Sequence, residues 1–266
     1  MKRFPAVAGQ FYPHDAAELE AFVRKVMEQA FVEARERPVA LISPHAGYIY
    51  SGQTAAYSYK LLSAFDFKNA IIISPNHTGL GVPVSIFPEG EWITPLGSLK
   101  VNEEIAKKIA SSFKADVEAH LMEHAVEVQL PFLQAIRKDV KIVPITVMDQ
   151  SLDTMKELGK VLASCLNPKT DIVIASTDFS HYIPDDEARE RDSKAISAIE
   201  RLDEDLLYEY LKKYDISMCG YGGVAAAMLY AKEKNAKKAK LLYYDTSATA
   251  SGDKSAVVGY AAMYMY

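Results

Sequence analysis

Two stretches of the chain decide how the rest is read: VALISPHAGYIYSG over residues 39–52 and AIIISPNHTGLG over residues 70–81. Each is a run of strand-forming residues that breaks at Ser-Pro, presents a histidine and then turns at glycine. Further β-rich runs at 141–147, 171–176 and 240–244 alternate with amphipathic segments. Strand alternating with helix predicts an α/β fold, a central mostly parallel mixed sheet flanked by helices on both faces.

The stretch 14–36 opens the helices. Leu19, Phe22, Val23, Val26, Met27 and Ala30 form an apolar stripe of helical period, and Asp15 with Glu18 reads as a cap and its reciprocal partner. Residues 82–101, punctuated by proline and glycine, read as short strands and turns. The terminal run 255–266 adds a late, antiparallel strand. No Pro/Gly/Ser-rich or charge-block linker divides the 266 residues, so residues 1–266 are read as one domain.

Composition excludes several classes. A formal charge of -5 leaves no extended basic surface for nucleic acid, and the lysine-rich 232–240 reads as a solvated helix end and turn. Pro5, Gln10, Pro13 and His14 interrupt any apolar core of a signal peptide, and no stretch is long enough to span a bilayer, so a cytoplasmic location is expected with no membrane partner. Of the two cysteines, Cys165 falls on the apolar side of an amphipathic segment and reads as core.

In an open α/β sheet, ligands gather beyond the carboxyl ends of the strands. Three of the six histidines stand there: His45, His77 and His181. His45 and His77 suit a divalent metal as neutral imidazoles. Two histidines with a carboxylate and open positions are the usual seat of non-haem Fe(II), which makes Asp178 one candidate third ligand. Cys219 is the other, because it precedes a glycine-rich turn into a helix whose N–H groups and dipole favour thiolate. Asp178 also stands three residues before His181, where a carboxylate that orients an imidazole makes a general acid/base.

Two motifs compete with this reading. HLMEH, residues 120–124, fits the H-x-x-E-H pattern of inverted zinc peptidases but leaves the strand-end histidines unexplained; His124 and Glu127 are instead expected as a second shell around the other site. GYGGVA, residues 220–225, fits a dinucleotide loop with Asp245 as the ribose acid, but the strand that should precede it is missing. There is no G-x-S-x-G elbow and no P-loop.

Taken in order, AVAGQFYPHDAAEL, SPHAGYIYSG, SPNHTG, EHAVEVQLPFL, STDFSHY, MCGYGG and SGDKSAVVGYAA resemble the Memo family across essentially the whole chain. The resemblance implies a fold similar to the class III, LigB-type extradiol dioxygenases, which open catechol rings with Fe(II) and O₂. It also implies a pocket of His45, His77 and Cys219 with Asp178 and His181 beside it. Those dioxygenases have a glutamate as third ligand where this chain has Cys219. A softer thiolate shifts metal choice, so Fe(II) is expected with copper or zinc as alternatives. The expected function is a metal-dependent oxidoreductase acting on a small aromatic substrate. The alternative is a non-catalytic module for aromatic or phosphotyrosine-type peptides, as proposed for animal Memo proteins, with Tyr48, Tyr50, Tyr182 and Tyr221 near the site. In microbes the resemblance also implies AMMECR1-like and radical-SAM proteins as functional partners.

Overall fold

The computed structural model describes residues 1–33 and 36–266. In chain order it begins with β1 (Lys2–Arg3), α1 (Ala16–Gln29), β2 (Ala40–Ser43), α2 (Tyr48–Leu62) and β3 (Asn69–Pro75). Next come β4 (Val84–Ile86), β5 (Glu91–Thr94), β6 (Gly97–Lys100), α3 (Glu103–Ala110), β7 (Lys114–Ala115), α4 (Glu118–Leu121) and α5 (Leu130–Ile136). They lead to β8 (Lys141–Val147), α6 (Leu152–Cys165), β9 (Asp171–Ser176), β10 (His181–Ile183), α7 (Asp185–Glu200) and α8 (Glu204–Lys213). Last are α9 (Tyr221–Glu233), β11 (Ala239–Thr246), α10 (Ala248–Ser251) and β12 (Val257–Met265).

The main sheet runs β10-β12-β2-β9-β3-β8-β4-β7, with β11 paired to β12. Its centre is parallel, β2 beside β9 beside β3 beside β8, and β12 joins β2 antiparallel, as the terminal run predicted. Ala40, Leu41, Ile42 and the Ala70 to Ile73 run are wholly buried, as both faces of the sheet are covered. Each such isoleucine contributes about 1.5–3 kcal/mol of burial. One helical layer joins α1, α2 and α5; a second joins α6, α8 and α9, with α9 against β2, β3 and β9.

The first helix follows its cap, for Asp15 accepts from the N–H groups of Ala17 and Glu18. It ends at Gln29, short of the 14–36 stretch read as helical; residues 34–35 lie outside those described. The β excursion divides in two. β4 joins the edge of the main sheet, while β5 and β6 form a small sheet with β1. No strand precedes α9, which follows α8 through an irregular stretch, so the dinucleotide reading of GYGGVA lacks its scaffold. Among the described residues no helix is long and apolar enough to cross a membrane.

The contact between α6 and α9 depends on Gly159. A Cβ there would lie 2.6 Å from Leu229 Cβ and 3.2 Å from the Ala226 carbonyl oxygen. Gly159→Ala gains about 1 kcal/mol of helix propensity but overpacks by about 1–3 kcal/mol. The expected result is a lower urea midpoint; an unchanged or raised one would show that α6 and α9 can separate at little cost.

Candidate metal centre

Because β2, β3 and β9 run parallel and in register, Ser43 opposite Ser176, the residues just past them emerge at one sheet edge. His45 and His77 each lie two residues past a strand, and Thr177 and Asp178 follow β9 directly. Cys219 arrives from the other direction, just before α9. Ligand atoms of His45, His77 and Cys219 all lie within 4.8 Å of one another. His45 Nε2 is 3.2 Å from Cys219 Sγ.

The hydrogen bonds fix which nitrogen each ring presents. Ser176 Oγ donates its one proton to the Ala125 carbonyl at 2.7 Å and accepts from Gln129 Nε2 at 2.8 Å. Toward His45 Nδ1, 3.0 Å away, it is therefore an acceptor, and the imidazole carries its proton on Nδ1. The Nε2 lone pair faces Cys219. His77 has the same arrangement, with Nδ1 3.0 Å from Glu123 Oε1 and its backbone N–H bonded to Glu123 Oε2 at 2.6 Å. Upstream, Asn76 Oδ1 accepts from the N–H groups of Thr78 and Gly79, a turn that aims the His77 side chain. Gly79 at φ 69° needs its glycine; Gly47 at φ -54° does not, so only one of the two strand-end glycines has a conformational role.

Burial, then the neighbouring His77, pushes His45 down to about 3, so it is neutral. Burial opposes protonation of His77 too, but the bond and charge of Glu123 overcome it and hold that ring above its ordinary value. Burial alone would raise Glu123; His77 and His124 pull it to about 2, an ionised carboxylate. His124 is lowered to about 4 by burial and by His45.

Cys219 corrects an expectation. Burial, then the Asp178 charge, pushes its thiol up to about 12, so without a metal it is a thiol rather than a thiolate. The physical reason is that other side chains take the start of α9: Thr177 Oγ1 accepts from Gly220 N at 2.9 Å, and Gln150 Oε1 from Gly222 N at 2.8 Å. Sγ instead accepts from Asp178 N at 3.3 Å. Gly220 is required by closeness, since a Cβ there would be 2.5 Å from the Ser176 carbonyl oxygen.

Asp178 is raised, chiefly by burial, while its Oδ1 accepts from His45 N at 2.8 Å. It therefore braces the His45 backbone. The orientation of His181 expected from Asp178 comes from elsewhere: Nδ1 lies 2.8 Å from the Ser217 carbonyl oxygen, an acceptor only, so the neutral ring carries its proton on Nδ1 and leaves Nε2 free. His181 stays close enough to interact electrostatically with His45 and Asp178.

HLMEH does not act as one helical metal motif. α4 stops at Leu121, and His120 is buried with Nδ1 on Thr146 Oγ1 and its ring against Phe87 and Trp92. His124 packs at 4.6 Å from His77, 5.4 Å from His45 and 4.6 Å from Phe11, ring centroid to ring centroid. Glu127, expected beside it, bonds Arg3, Tyr12 and the N–H groups of Ala6 and Val7. The carboxylate that supports the rings is Glu123, which also makes a second cluster of possible ligands with His77 and His124. In the sequence Glu123 belongs to the HLMEH string, and its place four residues before Glu127 in EHAVEVQ is the signal for its role.

A family model described as "Memo-like protein" matches residues 3–264. The chain belongs to the Memo-like family. A Thermotoga petrophila MEMO1 family protein is 43% identical over 285 residues, covering 100% of both chains. One from Methanopyrus kandleri is 41% identical over 282 residues, covering 99% of this chain and 98% of that one. One from Nitrosopumilus maritimus is 40% identical over 272 residues, covering 99% of each. Among solved structures, the Escherichia coli K12 protein JW3007 aligns with a TM-score of 0.57 at 13% identity, over 86% of this chain and 100% of that one, a likeness of fold. This Memo-like chain thus carries the mixed α/β architecture that its sequence alternation predicted, with the histidines at one sheet edge.

Proposed function

We propose that the chain is a non-haem metal-dependent oxidoreductase whose metal is held by His45, His77 and Cys219, with Fe(II) favoured over copper or zinc. The observation that carries this reading is the pair of imidazoles with Nδ1 tied to Ser176 and Glu123, leaving the Nε2 atoms as donors beside the Cys219 sulfur. Metal-ligating histidines are oriented in this way by partners on the other ring nitrogen. The donor set fits: two imidazoles and a thiol that would release its proton to solvent on binding a metal. A bound metal would supply Lewis-acid and one-electron chemistry.

The chain's own groups do the rest. The free Nε2 of His181 accepts a hydroxyl proton from an aromatic diol-type substrate, and the Ser217 carbonyl holds that ring in the tautomer required. Phe11, its ring tilted 51° to that of His124 at 4.6 Å, packs beside the rings. The oxidant is O₂.

Anaerobic reconstitution with Fe(II), desalting and metal analysis tests the assignment. The wild type should retain iron stoichiometrically, and His45→Ala and Cys219→Ser should not. Ser176→Ala keeps every ligand but frees the His45 ring, so its iron affinity should fall about 10- to 100-fold. Equal, negligible iron in wild type and His45→Ala would sink the metal reading. A second reading, a binding module for aromatic or phosphotyrosine-type peptides, draws on the aromatic rim, where Tyr50 is 41% and Tyr182 77% exposed. Peptide affinity indifferent to chelators would favour it.

A further inference from the structure

Away from the histidines, a groove of about 780 Å³ opens between α1, the ends of α2 and α5, and the β5–β6 hairpin. It shares no residue with the candidate metal centre. Its volume lies in the range of small-molecule sites. The wall is apolar where Ala16, Ala17, Val23, Met27, Pro95 and Leu96 line it.

One polar group in it is out of balance. Gln134 is only 5% exposed. Its Oε1 accepts from Thr94 Oγ1 at 2.6 Å, whereas its amide nitrogen, with two N–H donors, has no partner among the described residues. Gln134 lines the groove, which leaves that nitrogen's donors for water or a ligand. Water or a ligand acceptor meets those donors, and an ionised acceptor is the stronger partner.

The charges at the rim specify the ligand further. Arg24, Lys60 and Lys138 line the groove, and none of them is in an ion pair among the described residues. Glu20 and Glu28 are also at the rim, so three cations against two carboxylates leave one net positive charge in a chain whose net charge is -5. That balance suits one negative charge and disfavours two. A planar carboxylate accepts from an amide and from a guanidinium fork at once.

We propose that this groove binds an amphipathic monocarboxylate, its head group on the Gln134 amide and the cationic rim and its hydrocarbon body along the apolar wall. The site is independent of the metal centre, and stripping the metal leaves it unchanged.

Calorimetric titration of the full chain with octanoate, and separately with octan-1-ol, tests the proposal. Octanoate should bind saturably at one site, and octan-1-ol, which has the body without the charge, should bind about tenfold more weakly or worse. The double variant Lys60→Gln/Lys138→Gln, changed only at exposed positions, should raise the octanoate Kd about tenfold. Gln134→Glu keeps the acceptor for Thr94 but sets a negative charge at the head-group position, and should abolish binding. Non-saturating heats, equal affinity for octanoate and octan-1-ol, or an unchanged Kd in the lysine double variant would each overturn the assignment. Equal octanoate affinity in His45→Ala and wild type is expected; a loss there would place the ligand at the histidines instead.

Discussion

Arg3→Met is expected to destabilise the protein by about 3–5 kcal/mol, because it leaves a buried carboxylate without its cation. Arg3 and Glu127 are both fully buried and paired with each other. Arg3 also donates to the His120 carbonyl at 3.1 Å and the Glu123 carbonyl at 2.7 Å, and its guanidinium lies 4.4 Å from the centre of the Trp92 ring. On its other side Glu127 accepts from Ala6 N at 2.8 Å, Val7 N at 3.1 Å and Tyr12 Oη at 2.5 Å. The pair thereby fixes the N-terminal segment that carries Phe11 onto His124. Since Trp92 is the one tryptophan, urea unfolding followed by its emission reads the loss directly. A change below about 1 kcal/mol would mean that the segment is held mainly by apolar packing.

The second large effect is acid lability of the metal-stripped protein. Burial lowers His45 to about 3 and His120 and His124 to about 4 in the folded state. Unfolded, all three return to about 6.5. Below that value the unfolded chain binds more protons, so stability rises with pH and is lost as pH falls from about 6.5 toward 4. Three protons set an upper slope of about 4 kcal/mol per pH unit. His77, raised, is protonated in both states through most of that window and adds little. Asp178 and Asp192, both raised by burial, act in the opposite sense near the acid end and soften the fall. Urea midpoints at pH 7, 6 and 5 should therefore drop steeply. His120→Asn, remote from the ligand cluster, should reduce the slope by about 1.4 kcal/mol per pH unit. A midpoint that stays level from pH 7 to 5 would contradict neutral burial of these rings.

Much of this architecture was legible because it is written in local periodicity. Both strand-His-Gly strings form strands within a residue of their expected bounds, and the terminal run pairs antiparallel. Where reading failed, long-range packing had overridden a local signal. Cys219 precedes a helix, which alone favours thiolate, but Gln150 and Thr177 occupy that helix start and burial prevails. Asp178 is near His181 in sequence, yet its carboxylate faces His45. Glu127 is near His124 in sequence, yet it faces the N-terminus.

The sequence by itself determined the α/β alternation, the burial of the central strands, and the position of His45 and His77 just past strand ends, whereas His181 opens β10. A short apolar run and its turn residues carry that information within some ten positions. Only the tertiary structure decided what each ring nitrogen faces. That choice rests on Ser176, Ala125, Gln129, Glu123 and Ser217, residues brought to the rings from 36 to 131 positions away, apart from any local pattern. A hydrogen bond depends on distances of a few tenths of an ångström, which the packed sheet edge fixes and periodicity cannot encode.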